Sequence, residues 1–180
     1  GFVPATEDYS GPALLCMTPE FGTIAGIAVT AELTPLHTRQ KPANWNDYYD
    51  SIAYAGVPTV AVLKDVDQPA GRGAIMGDGM AYRHRALGCV GVVVDGNARD
   101  VPGIARAKCG LWATGRVPGH GPFNIVRHGI PVVAAGLLIE PIIASTPLRS
   151  RPHSIPNTPL APGPHAIQLH SSARLPADLA

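Results

Sequence analysis

Apolar and polar positions follow two different periods in the first third of the chain. In GIAVTAEL (26–33) apolar residues recur at every second position, which predicts a strand. In WNDYYDSIAYAG (45–56) the aromatic and apolar positions have helical spacing and a glycine ends the run, so we expect a helix. The apolar run in PTVAVLKD (58–65) predicts a second, buried strand. Strand, helix and strand in this order are typical of an α/β protein.

The same alternation continues in the middle of the chain. A glycine-rich turn, GRGAIMGDG (71–79), leads into a helix over MAYRHRAL (80–87). The unbroken apolar run at 90–94 predicts a strand that is covered on both faces. We expect the Asp-Gly pair at 95–96 to turn the chain, and residues 97–100 to form a loop at the carboxyl end of that strand. Ligands bind at such loops in open α/β sheets.

The remaining third divides into a domain end and a tail. A short helix near 101–107 and strands at 111–114 and 131–139 complete an α/β domain over residues 1–140. Beyond it, residues 141–180 contain eight prolines, one acidic residue and no apolar periodicity. This Pro-rich tail is expected to be poorly ordered, with little secondary structure.

The composition fits one globular domain and argues against several classes of function. Apolar residues make up 46% of the 180 residues, which is enough for one core. A net charge of +1 without a Lys/Arg run gives no footprint for nucleic acid, and no apolar run is long enough to span a membrane. Three cysteines without a C-x-x-C suggest neither a disulfide framework nor a zinc cluster. We therefore expect a cytoplasmic protein without nucleic-acid or membrane partners.

The glycine-rich segment 71–79 and the residues after strand 90–94 carry the candidate chemistry. The segment lacks the Lys-Ser/Thr of a P-loop, and its third glycine falls one place late for a dinucleotide-binding turn. Asp78 is expected to cap the next helix, whose free N–H groups attract a carboxylate or phosphate. Arg99 can grip a carboxylate through two N–H bonds, and Asp100 is an oxygen ligand for a hard cation. The two loops could converge on a small anionic ligand that holds a metal; a capped helix and a surface ion pair are the alternative.

The whole stretch from 77 to 104, GDGMAYRHRALGCVGVVVDGNARDVPGI, resembles the signature segment of one enzyme family. That family is the 4-hydroxy-4-methyl-2-oxoglutarate aldolases, which include the RraA-like proteins named as regulators of RNase E activity. A weaker resemblance runs from about residue 26 to residue 141. The resemblance implies an α/β fold, a single-domain β/β/α sandwich similar to the swivelling phosphohistidine domains. It also implies a homo-oligomer, a trimer or a hexamer.

The resemblance further implies an activity and a set of site residues. The activity is cleavage of 4-hydroxy-2-oxo acids to pyruvate, with oxaloacetate decarboxylation as a companion reaction. The loop of Gly77, Asp78, Gly79 and Met80 would hold the pyruvyl carboxylate, largely through backbone N–H groups. Arg99 would bind substrate oxygens, and Asp100 would ligate Mg²⁺ or Mn²⁺. Asp78 and Arg99 would be catalytic, because together they can position a water that protonates the enolate.

Both ends of the chain depart from the family pattern, which keeps other functions open. A strand and a C-terminal helix normally follow the position of Pro141, and here the Pro-rich tail takes their place. The usual N-terminal helix is also hard to recognise before residue 20. A non-catalytic binding protein like the RNase E regulators, or an inactive fragment of the family, are therefore the alternatives to a metal-dependent lyase.

Overall fold

Ten strands and three α-helices make up the described part of the chain, which comprises residues 10–34, 42–120, 124–141 and 166–169 of a computed structural model. The strands are β1 (Leu15–Cys16), β2 (Ile24–Thr34), β3 (Thr59–Asp65), β4 (Ala74–Met76), β5 (Cys89–Ala98), β6 (Gly110–Arg116), β7 (Asn124–His128), β8 (Val132–Ala134), β9 (Leu137–Ile139) and β10 (Ala166–Leu169). The helices are α1 (Trp45–Ala53), α2 (Asp78–Ala86) and α3 (Val101–Arg106). A single 3₁₀ turn spans Pro19–Phe21.

The main sheet has a parallel centre and antiparallel edges. Its strand order is β1-β6-β5-β3-β2-β10, with β4 paired to β5 and β7 paired to β2. Strands β2, β3, β5 and β6 are parallel, whereas β1, β7 and β10 run antiparallel to their neighbours. The parallel centre explains the apolar runs in β3 and β5, because inner parallel strands are covered on both faces. The α/β fold class is confirmed.

The two faces of this sheet carry two separate cores. Helices α1, α2 and α3 cover one face, and their core includes Ile52, Leu63, Val94 and Ile104. The hairpin of β8 and β9 forms a second, two-stranded sheet on the opposite face. Alternate residues of the same strands face it, so a smaller core forms from Ala28, Val60, Val62, Val93, Trp112, Val132, Ala134 and Ile139. The layers are therefore a hairpin, a sheet and a helical layer.

Strand β5 is longer than predicted, and the turn expected at 95–96 is wrong. The strand continues through Ala98. Gly96 has a φ of 156°, and the hydroxyl of Thr114 on β6 both accepts from its N–H and donates to its carbonyl, at 2.9 Å each. The Asp-Gly pair thus forms a bulge that stays in the sheet. As a result, the predicted loop of residues 97–100 shortens to two residues.

Short strands account for the other differences from the sequence pattern. The glycine-rich turn at 71–79 contains β4, which is fully buried and pairs with β5. The strand expected at 131–139 is a hairpin, because Ala135 and Gly136 adopt positive φ angles between β8 and β9. Strands β1 and β7 were not predicted either, since β1 has two residues and the apolar residues of β7, Ile125 and Val126, are adjacent and show no alternation. Three-residue strands lie below the length at which periodicity gives a signal.

The described residues of the tail include an element that the sequence did not predict. Residues 166–169 form β10, which pairs antiparallel with the start of β2. The expectation of a Pro-rich tail with little secondary structure stays a prediction, because apart from Pro141 and these four residues the tail lies outside the described part of the chain. The pattern was missed because four residues with two apolar positions are too few to show a period. In the described ranges, no helix has the length and apolarity that a membrane span requires.

Candidate functional site

The first part of the candidate site is the amino-terminal end of α2. The helix begins at Asp78 and Gly77 is its N-cap, so the prediction that Asp78 caps the helix is wrong by one residue. Asp78 instead occupies the first helical position, where the helix dipole favours an acidic side chain. Its Oδ1 accepts the N–H of Gly79 at 2.7 Å. The N–H of Gly79 is therefore used internally, although the sequence predicted it to be available to a ligand.

The second part is the pair of residues between β5 and α3. The N–H of Arg99 donates to the carbonyl of Met76 at 2.9 Å, which ties the end of β5 to the end of β4. Asp100 has φ 55° and ψ 36°, in the left-handed region that aspartate tolerates better than most residues. Arg99 Nη1 lies 3.3 Å from Asp100 Oδ2, and the two side chains are 30% and 39% exposed. Both charged groups are thus partly open to solvent.

These two parts lie against each other. A Cβ placed on Gly77 would lie 3.3 Å from Arg99 Nε and 3.5 Å from Asp100 Oδ2. Because Gly77 has no side chain, the guanidinium of Arg99 and the carboxylate of Asp100 lie against the start of α2; we call the surface between these groups the Gly77 recess. A Cβ on Gly79 would meet nothing within 4 Å, so that side of the helix start is open. The structure brings together all the predicted site residues, since Met80 follows in the same helical turn.

Gly103 is a residue of this site that the sequence analysis did not identify. It lies in α3, and a Cβ there would be 2.6 Å from the Cβ of Asp78 and 2.7 Å from its Oδ2. Helix α3 can approach α2 only because position 103 has no side chain. The available signal was a glycine inside a helical pattern, which often marks a close approach of two elements.

A buried hydrogen-bonded pair, Tyr48 and His84, joins α1 to α2. His84 is fully buried; its Nδ1 lies 2.8 Å from the carbonyl of Met80, and its Nε2 lies 2.7 Å from the hydroxyl of Tyr48. Burial lowers the pKa of His84 from 6.5 to about 4. The ring is therefore neutral, so it can donate to Met80 and accept from Tyr48. This pair fixes the first turn of α2 to α1.

The residues present fit one divalent cation held mainly by non-protein ligands. In the described ranges, no three His, Cys, Asp or Glu side chains lie close enough to hold a metal by themselves. Asp100 offers a carboxylate at the edge of the Gly77 recess, and its neighbour Arg99 leaves it only partly shielded. One protein carboxylate with waters and ligand oxygens is an ordinary Mg²⁺ environment.

A second group of polar residues lies near the carboxyl ends of β3 and β5. This β5 cleft, of about 470 Å³, is lined among others by Lys64, Asp65, Gly71, Asp95, Asn97 and Thr114. Its polar atoms bind one another. Asp65 accepts the N–H groups of Asp67 and Gly71, at 2.9 and 2.7 Å, and Asn97 donates to the Gly71 carbonyl at 2.6 Å. Lys64 pairs with Asp95 at 3.2 Å and also donates to the carbonyl of Val133 in the hairpin. The contacts of Asp65 and Asn97 hold the loop before β4, whereas those of Lys64 join β3 to β5 and to the hairpin.

Comparison with known proteins gives one family and several shared folds. Residues 5–142 match the family model described as RraA-like, Aldolase/RraA. An uncharacterized protein from Pseudomonas syringae pv. tomato str. DC3000 has 24% identity and a TM-score of 0.55 over 73% of this chain. The RNA-processing inhibitor RraA from Thermus thermophilis has 19% identity and a TM-score of 0.53 over 73% of this chain and 74% of its own.

A third structure is RraAS2 from Streptomyces coelicolor, described as an unusual member of the RNase ES inhibitor RraA protein family. It has 21% identity and a TM-score of 0.54 over 73% of this chain. This chain spans 59% of the Pseudomonas syringae protein and 64% of RraAS2, less than two thirds of each. At these identities the likenesses show the fold alone. No curated protein matches the sequence.

Proposed function

Because the chain belongs to the RraA-like family (Aldolase/RraA), we propose that it is a divalent-metal-dependent lyase, a class II pyruvate aldolase. Its substrates would be 4-hydroxy-2-oxo acids of the 4-hydroxy-4-methyl-2-oxoglutarate type, which it would cleave to pyruvate. Oxaloacetate decarboxylation would be a companion activity, since both reactions pass through the enolate of pyruvate. The family includes aldolase and decarboxylase members as well as non-catalytic RNase E inhibitors.

The observation that carries this proposal is the recess at Gly77. Three different kinds of group border it: the start of α2, the guanidinium of Arg99 and the carboxylate of Asp100. A 2-oxo acid presents a carboxylate and a keto oxygen side by side, so it needs anion-binding donors next to a cation. The β5 cleft does not offer this combination, because its charged groups are already paired.

The chain's own residues would bind and orient the substrate. Backbone N–H groups at the start of α2 would donate to the pyruvyl carboxylate, helped by the helix dipole. In our proposal the loop consists of Gly77, Asp78, Gly79 and Met80, and the N–H of Gly79 joins it when Asp78 releases it. Arg99 would donate two parallel hydrogen bonds to substrate oxygens, a geometry that its planar guanidinium favours.

Asp100 would hold the cation, Mg²⁺ or Mn²⁺, at the edge of the same recess. When bound, the cation would supply positive charge beside the keto oxygen, which stabilises the enolate left by carbon–carbon cleavage. Asp78 and Arg99 would hold a water between them that gives a proton to the enolate carbon. The hydroxide left behind would take the proton lost from the 4-hydroxyl in aldol cleavage, or would combine with the released CO2 as bicarbonate in decarboxylation. Gly103 would keep Asp78 in position, because a side chain there would push that carboxylate away.

A pyruvate-release assay tests the proposal. We expect the chain to release pyruvate from 4-hydroxy-4-methyl-2-oxoglutarate and from oxaloacetate, to stop when EDTA is present, and to recover with added Mg²⁺ or Mn²⁺. Asp100→Asn is the appropriate variant, since asparagine tolerates the left-handed backbone at this position and alanine would add roughly 1–2 kcal/mol of strain. Glu20→Gln, at an exposed position outside the site, is the matched control. An undiminished rate in chelator would contradict the proposal.

A second candidate function is a non-catalytic binding protein of the RNase E regulator type. Two of the similar folds are described as RNA-processing or RNase inhibitors, which favours this alternative. A related possibility is an inactive fragment, since the chain spans less than two thirds of two of its structural neighbours. Inhibition of an RNase E-type nuclease by both wild type and Asp100→Asn, without pyruvate release, would support the binding protein. Neither activity in an intact fold would indicate the inactive fragment.

Assembly and fold relationships form the last part of the proposal. Members of the RraA family are typically oligomers, and we propose that this chain forms a homo-oligomer, a trimer or a hexamer. Light scattering coupled to size-exclusion chromatography measures the mass directly. The fold-level similarity to swivelling phosphohistidine domains also belongs to the proposal; it is supported by the β/β/α layering of hairpin, sheet and helices.

A further inference from the structure

The outer edge of β2 is covered by two separate strands. One edge of β2 pairs with β3, and the other pairs with β7 only over its second half, from Ala31 to Thr34. Its first half, Ile24–Ile27, pairs with β10. Because Ile27 donates its N–H to Pro58 on the β3 side, the backbone groups of the preceding Gly26 point toward β10. Without β10, these donors and acceptors would form an open sheet edge.

The strand that covers this edge also adds apolar contacts at alternate positions. Ile167 and Leu169 are half-buried and pack against the smaller core, which also receives Ile24 and Leu137. They lie two residues apart, as the pleat of a strand requires for two side chains on the same face. The edge therefore offers a backbone ladder and an apolar surface, the two features by which sheets recognise extended peptides.

The covering strand lies outside the part of the chain that carries the family match. The match ends at residue 142, whereas β10 begins at Ala166. The matched domain by itself would thus leave Ile24–Ile27 unpaired. An unpaired edge is a template for pairing with other chains, and proteins usually cover or disrupt such edges.

We propose that Ile24–Ile27 is a strand-addition site for an extended peptide with apolar residues at alternate positions, and that the chain's own segment Ala166–Leu169 occupies it. The segment acts as an intramolecular cover that keeps this edge from pairing with a second copy of the chain. The inference is independent of the proposed lyase activity, because it concerns the sheet edge next to the hairpin and not the recess at Gly77.

Binding of a synthetic peptide to a full-length variant tests the site. The double variant Ile167→Asp/Leu169→Asp removes both apolar contacts, and Ile167→Val/Leu169→Ile is the control that keeps them. We expect the aspartate variant to lose hydrogen-exchange protection at the Gly26 amide and to bind a labelled peptide of residues 164–171 (PHAIQLHS) at least about tenfold more tightly than wild type, whose site is already filled in cis. A peptide with aspartates at the two apolar positions should not bind. Unchanged protection at Gly26, or equal binding of the two peptides, would overturn the proposal.

A second measurement leaves both apolar residues in place. Ala25 and Gln168 are register partners, and they flank the pair formed by Gly26 and Ile167. Because Gly26 and Ile167 form a hydrogen-bonded pair, Ala25 and Gln168 form a non-hydrogen-bonded pair. The Cα atoms of such a pair lie about 4.5 Å apart in an antiparallel ladder, which a disulfide can bridge. Ala25→Cys/Gln168→Cys should therefore cross-link within one chain and abolish binding of the labelled peptide. Failure to cross-link in a folded protein would overturn the pairing, and cross-links only between chains would assign the site to a second copy instead.

Discussion

Two polar clusters near the carboxyl end of β5 have similar composition but differ in burial and pairing. Beside the start of α2, Arg99 and Asp100 border the Gly77 recess, where they are partly exposed and bind only each other among the described side chains. The β5 cleft also contains a cation, Lys64, and the carboxylates of Asp65 and Asp95. There the carboxylate of Asp65 is buried and accepts two backbone N–H groups.

This difference supports our proposal that Arg99 and Asp100 bind a ligand, whereas Asp65 stabilises the fold. Asp65 is buried and accepts two backbone hydrogen bonds, so it stabilises the fold. Removing its carboxylate would leave the N–H groups of Asp67 and Gly71 without an acceptor, which would lower the free energy of unfolding. Partial exposure and incomplete pairing leave Arg99 and Asp100 able to bind something else. Substitution of Asp65 in the β5 cleft should therefore change stability, and substitution of Arg99 or Asp100 should change activity.

The largest expected effect is on stability and concerns His84, a buried residue of α2. Its folded pKa of about 4 is below the unfolded value of about 6.5, so the unfolded state binds more protons between these pH values. The stability that neutral His84 contributes is complete above pH 6.5 and is lost as pH falls toward 4, by roughly 3 kcal/mol. Urea titration gives the free energy of unfolding of wild type and of His84→Gln. The difference between the two values should become smaller as the pH falls. A gap independent of pH would contradict a buried neutral histidine; His120→Gln, at an exposed position, is the control.

Arg99→Lys should show the next largest effect, and on activity alone. Lysine keeps the charge but lacks the planar fork, so one charge-assisted contact is lost, worth about 1.5–3 kcal/mol. This corresponds to a decrease of roughly ten- to a hundredfold in kcat/KM for pyruvate release. Arg106→Lys, at the exposed end of α3, is the matched control. Kinetics equal to wild type would place Arg99 among ordinary surface charges.

Asp65→Asn should change stability and leave activity unchanged, the reverse of Arg99→Lys. The amide cannot accept from two N–H groups as a carboxylate does, so we expect a loss of about 1–3 kcal/mol in the free energy of unfolding. Asp95→Asn, in the same cleft, removes only a partly exposed ion pair with Lys64 and should lose less than about 1 kcal/mol. Denaturant titration measures both. Equal effects would mean that burial does not distinguish the two carboxylates.

The smallest effect is expected for Gly103→Ala. Alanine is favoured over glycine inside a helix by about 0.5–1 kcal/mol. The new Cβ, however, would lie 2.6 Å from the Cβ of Asp78, and rotating the Asp78 side chain cannot relieve that contact. Helices α2 and α3 must then separate slightly, so the two effects should nearly cancel in stability. Pyruvate release should fall by about tenfold, since Asp78 moves. Ala105→Ser, in the same helix, should leave the rate unchanged.

The sequence predicted the elements that border the Gly77 recess, but not where those elements begin and end. The spacing of apolar runs identified α2 and β5, and the residues that follow a buried strand identified Arg99 and Asp100. The N-cap of α2 was predicted one residue too late, at Asp78 and not at Gly77. A glycine N-cap has no side-chain signature, and an aspartate in the first turn resembles a cap. The Asp-Gly pair at 95–96 suggested a turn, yet Thr114 holds Gly96 in the sheet.

The β5 cleft was less visible in the sequence for a physical reason. Its contacts join residues far apart in the chain, such as Asn97 with Gly71 or Lys64 with Val133. Such pairs depend on which distant segments the folded sheet brings together, and the pattern within one segment does not specify that. The same limit applies to β10, whose partner strand lies some 140 residues earlier in the chain. Gly103 was missed because only the crossing of α2 and α3 makes its missing side chain matter.

The most direct test of the account is Mn²⁺ binding followed by electron paramagnetic resonance. Wild type should bind one Mn²⁺ per chain, and pyruvate should tighten that binding, because both would occupy the recess bordered by Asp100 and Arg99. Asp100→Asn should bind Mn²⁺ at least about tenfold more weakly while unfolding at the same denaturant concentration. Equal affinity in the two proteins, or no effect of pyruvate in wild type, would contradict the account.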